Sequence, residues 1–291
     1  MNWIAGLQRA IDFIELNLEG KVSLEEVARC SGCSSFYFQR LFSMLAGYSV
    51  GEYIRKRRLS KAAEELVSKQ VKIIDVALKY GYDTPESFSR AFRAFHGCLP
   101  SQVRNASSIK SFSRIQTKLV IEGGKDMDYR IVNAGPFKVL EKARYFTNGE
   151  QSLKEVPAFW DSSWKDGTCE TLFSHMGGDN ELKSCLLGIC YDGDDCSKFK
   201  YSIAVTVDDL ASVPEGFEVS TIPSQTWVVF KSQGKLPKCI QETTRMAYTQ
   251  FFPSSEYQPN GLYDLEVYPE SIDSESGEGA CWLWISAERR Y

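Results

Sequence analysis

One stretch of this chain is written twice. Ser34-Ser35-Phe36-Tyr37-Phe38-Gln39-Arg40-Leu41-Phe42 is answered by Thr84-Pro85-Glu86-Ser87-Phe88-Ser89-Arg90-Ala91-Phe92, at an offset of 50 residues. The same offset carries Gly47 to Gly97, and Val27-Ala28 and Gly32 recur as Val76-Ala77 and Gly81, one residue out of step. Each copy reads as a short apolar helix, a turn at glycine and a second helix opened by a Ser or Thr N-cap. Pro85 suits the first helical position, where its missing N–H leaves no bond unmade.

Each second helix divides into two faces. Phe38, Leu41, Phe42 and Leu45 form a core stripe, with Phe36, Gln39, Arg40 and Ser43 opposite. In the later copy Phe88, Ala91, Phe92 and Phe95 form the stripe, with Glu86, Ser89, Arg90 and Arg93 opposite. A short helix presenting Gln, Arg and Ser from a helix-turn-helix suits a DNA major groove. Arg pairs with guanine, Gln with adenine, and Phe36 suits a thymine methyl. The competing reading is two helical hairpins with solvated outer faces. Duplication favours DNA, since a connecting helix from about Ser49 to Ser68 would hold the two units roughly one DNA turn, ~34 Å, apart. Arg55-Lys56-Arg57-Arg58 near its start are candidates for phosphate contact.

These residues resemble the DNA-binding domain of bacterial AraC/XylS-type transcription regulators. The resemblance is carried by Ser23-Leu24-Glu25-Glu26-Val27-Ala28, Phe38-Gln39-Arg40-Leu41-Phe42, Tyr53-Ile54-Arg55, Ala77 to Gly81, Ser87-Phe88-Ser89-Arg90-Ala91-Phe92, and Gly97 with Pro100. It implies an all-α head with two helix-turn-helix units, and promoter contact by Ser35, Phe36, Gln39, Arg40, Arg55, Glu86, Ser87, Ser89, Arg90 and Arg93. Glu86 departs from the basic pattern, and either accepts from a cytosine amino group or faces solvent.

The charge is split in the same sense. Residues 1–115 hold 17 basic and 11 acidic side chains, a net of +6, and the remainder holds 17 and 27, a net of −10. A basic head joined to an acidic tail fits a nucleic-acid-binding part and a part that avoids DNA. No run of about 18 apolar residues marks a membrane span. Met1 to Leu18 reads as an amphipathic helix bracing the first unit, not a signal peptide, so the expected location is cytoplasmic. Nine scattered cysteines, with Cys30 and Cys33 as a lone C-x-x-C, read as reduced structural thiols and not as a metal site. Cys185, Cys190 and Cys196 lie closer together, and a redox-sensing role is the weaker reading of them.

The expected domains are 1–107 for the head, 108–126 for a linker with a leading strand through Ile115, Leu119 and Ile121, and 127–291 for an α+β domain. That last domain looks duplicated as two pseudo-symmetric β-α-β-β units. Pro136 to Tyr145, a helix at Val156 to Trp164, Leu186 to Tyr191 and Tyr201 to Val207 form the first. Thr226 to Ser232, a helix at Leu236 to Phe252, Tyr263 to Tyr268 and Cys281 to Ser286 form the second. Their junction is the expected cleft.

Alternation along Asp264 to Tyr268 puts Glu266 and Tyr268 on one face. A carboxylate among aromatic rings is a receptor for a lipophilic cation, or else it lies on a solvated face beside core tryptophans. Residues 127–291 are similar to GyrI-like effector domains, found also in multidrug-binding regulators. The matching pieces are Trp227-Val228-Val229-Phe230, Gly234-Lys235-Leu236-Pro237, Phe251-Phe252-Pro253-Ser254, Leu265-Glu266-Val267-Tyr268 and Trp282-Leu283-Trp284-Ile285. The resemblance implies that Glu266 is the pocket acid, with Tyr268, Tyr191, Trp227, Trp160 and Trp282 as candidates for its wall.

Catalytic signatures are lacking. His96 reads as a helix C-cap, His175 stands alone, and no Ser-His-acid spacing, H-E-x-x-H or phosphate loop occurs. The expectation is a non-enzymatic, cofactor-free, ligand-responsive regulator, more in the pattern of an activator. Its expected partners are double-stranded promoter DNA, a small aromatic or cationic effector and RNA polymerase, with no membrane. Two rivals remain at this point. One is a hydrolase or sequestering domain fused to a regulatory head, and the other a tail that binds a macromolecular partner.

Overall fold

The computed structural model describes residues 3–32, 35–106, 108–117, 126–147, 152–191, 198–270, 272 and 279–290, except the side chains of 3, 4, 36, 37, 40 and 153. The chain divides into two compact units, Met1–Phe38 with Tyr48–Val120 and Gln39–Gly47 with Ile121–Tyr291.

The N-terminal helices are α1 (Trp3–Leu16), α2 (Leu24–Ser31), α3 (Ser35–Ala46), α4 (Val50–Ser68), α5 (Ile73–Lys79) and α6 (Pro85–His96), followed by a 3-10 turn over Pro100–Asn105. Their ends are set by local chemistry. Ser23, Ser49 and Thr84 each accept the N–H of the residue three positions on, which satisfies a helix-start donor that would otherwise lack a partner. Leu59, Ala62, Ala63 and Leu66 of α4 pack with Val76, Ala77, Tyr80, Phe88, Phe92 and Val103 in one core. Phe38, Leu41 and Phe42 of α3 are buried as expected, while Leu45 is partly exposed.

His96 does not cap its helix. Its Nε2 reaches the Leu59 carbonyl at 3.1 Å, and the backbone N–H of Gly97 closes the helix on Arg93. Residues 108–117 form no strand, and the rest of the expected leading strand lies outside the described residues. Cys30, Cys98, Cys169, Cys185, Cys190, Cys239 and Cys281 are free thiols, whereas Cys33 and Cys196 lie outside the described residues.

The second unit is built on β1 (Tyr129–Ala134), β2 (Phe137–Thr147), α7 (Ser152–Lys165), α8 (Thr168–His175), β3 (Cys185–Tyr191), β4 (Lys198–Val207), β5 (Glu218–Ile222), β6 (Gln225–Gln233), α9 (Lys238–Met246), β7 (Tyr257–Pro269) and β8 (Ala280–Arg289). A π-helical turn over Ala247–Phe251 and a short helix, Phe252–Ser254, follow α9. The strands form one antiparallel sheet in the order β1-β6-β8-β7-β3-β4-β2-β5. The two expected β-α-β-β units are present, the first with a second helix, α8, between its strands, and they meet edge to edge at β3 and β7. Each is extended by a strand that precedes the other: β1 pairs with β6, and β5 with β2.

The helices cover one face of the sheet; Phe159 of α7, for instance, meets Phe146 of β2 at 5.9 Å between ring centroids. Val139, Leu187, Ile189, Ala204, Trp227, Leu265 and Trp284 build a core on the other face. At the seam Gly188 faces Glu266.

Candidate nucleic-acid interface and effector site

The outer face of α6 is bare. Glu86, Ser87, Arg90 and Arg93 are exposed and Ser89 is half-buried, while Phe88 and Phe92 are fully buried beneath them. Ser89, Arg90 and Arg93 border an open depression with Ala94 and Leu99. This face combines the fork-shaped donors that pair with guanine and short hydroxyls that bond phosphate.

The basic run on α4 is mostly occupied. Arg55 is exposed. Lys56 is paired with Glu52 at 2.7 Å. Arg57 is buried and bonded to Glu15 at 2.7 Å. Arg58 donates to the Leu18 and Gly20 carbonyls, and packs where a Cβ on Gly81 would stand 2.7 Å from its guanidinium nitrogen. Of the four, Arg55 is the one that is exposed.

On α3, Gln39 is buried, 5% exposed. Ser35 is half-buried, and the side chains of Phe36 and Arg40 fall outside the description.

In the second unit, Glu266 and Tyr268 project from β7 toward the helices, as alternation requires. The Tyr268 hydroxyl donates to Glu266 Oε2 at 3.1 Å. Tyr201 of β4 donates to the same oxygen at 2.6 Å, and itself accepts from the Trp160 indole at 2.8 Å. Trp160 of α7 also stands edge-on to Tyr268, 5.3 Å between ring centroids. Gly188 makes this meeting possible. A Cβ there would lie 2.2 Å from Tyr201 Oη and 2.8 Å from Glu266 Oε2. Burial, and then the neighbouring Glu266 carboxylate, push both phenols well above their usual range. They stay protonated, so each remains a donor.

Three other candidates are elsewhere. Trp282 pairs with Val267, whose side chain is on the face opposite Glu266. Trp227 is fully buried in that opposite core and donates to the Ala134 carbonyl at 3.3 Å. Tyr191 also lies there and donates to Glu141. The sequence reading named these rings through the family resemblance, whereas each stands on a different strand from Glu266 and its face is set by how the strands pair.

It also missed Glu141, which is fully buried and bonded to Lys200 at 2.8 Å and to the Ser220 hydroxyl. Burial opposes its charge, but Lys200 and the hydroxyls around it outweigh that and hold the carboxyl below the usual range. A carboxylate already matched by an ammonium is a structural tie across β2, β4 and β5. Tyr201 was missed because pairing β4 to β3 needs tertiary information. Gly188, inside the apolar strand Leu186 to Tyr191, was the available signal, since an interior strand glycine often marks a close approach.

The arrangement agrees with known proteins. Residues 27–106 match the helix-turn-helix domain family, and residues 130–286 match the integron-associated effector binding protein family. The transcriptional activator AarP of Providencia stuartii is 42% identical over 92 residues, 32% of this chain and 68% of AarP. The transcriptional regulator Rob of Salmonella typhimurium is 25% identical over 272 residues, 91% of each chain. The fold of the second unit is shared with the protein SAV2435, solved bound to tetraphenylphosphonium, at TM-score 0.50 and 23% identity over 56% of this chain and 94% of that one. The chain belongs to the integron-associated effector-binding family and is a DNA-binding transcription regulator, with an AraC-type helix-turn-helix head joined to a ligand-responsive effector domain.

Proposed function

We propose that the protein is a cytoplasmic transcription activator whose effector is a lipophilic aromatic cation held at Glu266. Residues 1–107 serve as the DNA-binding part and residues 127–291 as the sensing part. One observation carries the reading: Tyr201 and Tyr268 both donate to a single Glu266 oxygen beside Trp160. Neutral phenols can yield to a positive charge at the carboxylate, and aromatic faces stabilise that charge further. SAV2435 carries such a cation in its solved structure, which recommends tetraphenylphosphonium as the first probe.

On the DNA side, Arg90 and Arg93 of α6 read the promoter, with Ser87, Ser89 and Glu86 beside them and Arg55 on phosphate. Because Gln39 is buried, α3 reads no base through it in this conformation. AarP is named an activator, and recruitment of RNA polymerase is the matching output for this chain.

The test is titration calorimetry of the full chain with tetraphenylphosphonium. Glu266→Gln should weaken binding about tenfold, the equivalent of roughly 1.4 kcal/mol, and leave a neutral triaryl analogue unaffected. Equal weakening of both removes the charge role. Recovery of the ligand unchanged is expected of a sensor, and its consumption would make the second unit a hydrolase.

A further inference from the structure

The first unit does not end with its last helix. Beyond the 3-10 turn, residues 112–117 run along α1 and α4, held by side chains of both. The Phe112 amide donates to Ser60 Oγ at 2.8 Å and the Ile115 amide to Tyr53 Oη at 3.2 Å. The Thr117 amide donates to Gln8 Oε1 at 2.9 Å, and the Thr117 hydroxyl meets the same oxygen at 2.7 Å. Arg57 donates to the Phe112 carbonyl, and Arg114 is ion-paired with Asp12. The Phe112 ring stands edge-on to Tyr48 at 5.5 Å and Tyr53 at 6.2 Å, with Lys56 Nζ 5.1 Å from its centroid.

The groups that grip this segment also tie α1 to α4. Tyr53 Oη donates to Glu15 at 2.7 Å, and Arg57 Nε and Nη2 donate to Glu15 at 2.8 and 2.7 Å. Burial disfavours the Glu15 charge, but Arg57 and Tyr53 outweigh it and hold the carboxyl below its usual range. Residues 112–117 thus close the open side of a buried ion pair. Their own bonds differ in kind from those of the helices. All run through side chains, four of them to the segment's backbone at Phe112, Ile115 and Thr117, on a segment whose residues 111, 113, 114 and 116 are exposed. Such links open at lower free energy than a packed helix.

We propose that residues 108–117 are a releasable strap: docked, it seals the Glu15–Tyr53–Arg57 cluster and stiffens α1 against α4, and the effector domain governs its docking. The strap is the stretch of chain through which that domain is tethered to the head. Release leaves Arg57 Nη1 and Tyr53 Oη without their strap partners and loosens α1, which packs on α2 of the first helix-turn-helix. The second half of the proposal rests on the effector reading above. The first half does not.

Hydrogen exchange on the full chain tests both. With tetraphenylphosphonium, binding is registered separately by its heat. The expected result is a change of about tenfold in protection at the Phe112, Ile115 and Thr117 amides, with α6 unchanged. Measured heat with unchanged strap protection overturns effector control and leaves the effector reading standing. Absence of heat overturns the effector reading, and with it that control. The strap itself is judged without ligand. Phe112→Ala and, as a milder change, Gln8→Ala should each lower protection in α1 by about tenfold while α6 stays as it was. Unaltered α1 protection in both variants overturns the strap.

Discussion

A missing side chain shapes the Glu266 cluster as much as those present. Gly188→Ala places a methyl where Tyr201 Oη already sits, 2.2 Å away. We expect a loss of ~1–3 kcal/mol in urea unfolding, the usual range for overpacking, together with altered tetraphenylphosphonium affinity. His96 supplies a different kind of test. Burial between Phe92 and Phe95, whose rings lie 4.2 and 4.7 Å away, holds its pKa below the usual value. The Leu59 carbonyl acts in the other direction and Lys110 in the same one, both less strongly. A depressed pKa means that the unfolded chain takes the proton first. Its stability contribution is therefore complete above about pH 6.5 and disappears as the pH falls through the lower folded value. Thermal unfolding from pH 7.5 to 5 should show this slope, and His96→Gln should flatten it. At this scale Glu266 with Tyr268 was legible, because alternation along one strand suffices. Tyr201 was not, because its place depends on which strand lies beside which.

Helices are where the duplicated pattern told most. Both second helices form; α6 starts at the expected Thr84 cap and shows the outer face that its sequence requires, while the expected Ser34 cap of α3 lies outside the described residues. Arg90→Ala should relax base preference by ~1–3 kcal/mol per lost bidentate contact, read by competition between promoter variants. Equal weakening on every sequence would assign Arg90 to phosphate. The first copy has the same spacing and a different outcome at Gln39, since local periodicity states which residues share a face and not what covers it. The run Arg55 to Arg58 makes the same point. Four adjacent charges look alike in sequence, but helical turning sends Arg57 inward to Glu15 and leaves Arg55 outside. Strands β1 and β5 went unread because they are short and largely exposed, so neither carries a clean alternation.

Across the whole molecule, the second unit is held by exchange. The expected pair of β-α-β-β units is present, yet neither keeps its own leading strand: β1 lies on β6 and β5 on β2. Among the described residues no helix is long and apolar enough to cross a membrane. Because the strands are exchanged, a protease cut in the loop between Asp209 and Phe217 should leave two fragments that co-elute in size-exclusion chromatography. Three pairings, β1–β6, β5–β2 and β3–β7, span the nick. Separation without denaturant would show that the halves are independent.

The vacancy at position 188 has an implication for descent. If the two halves arose from a common ancestor, they are no longer interchangeable. One strand contributes the charge and its neighbour contributes the room for it, so either half alone inherits only part of the cluster. A single added carbon at position 188 would leave Tyr201 and Glu266 no place to meet.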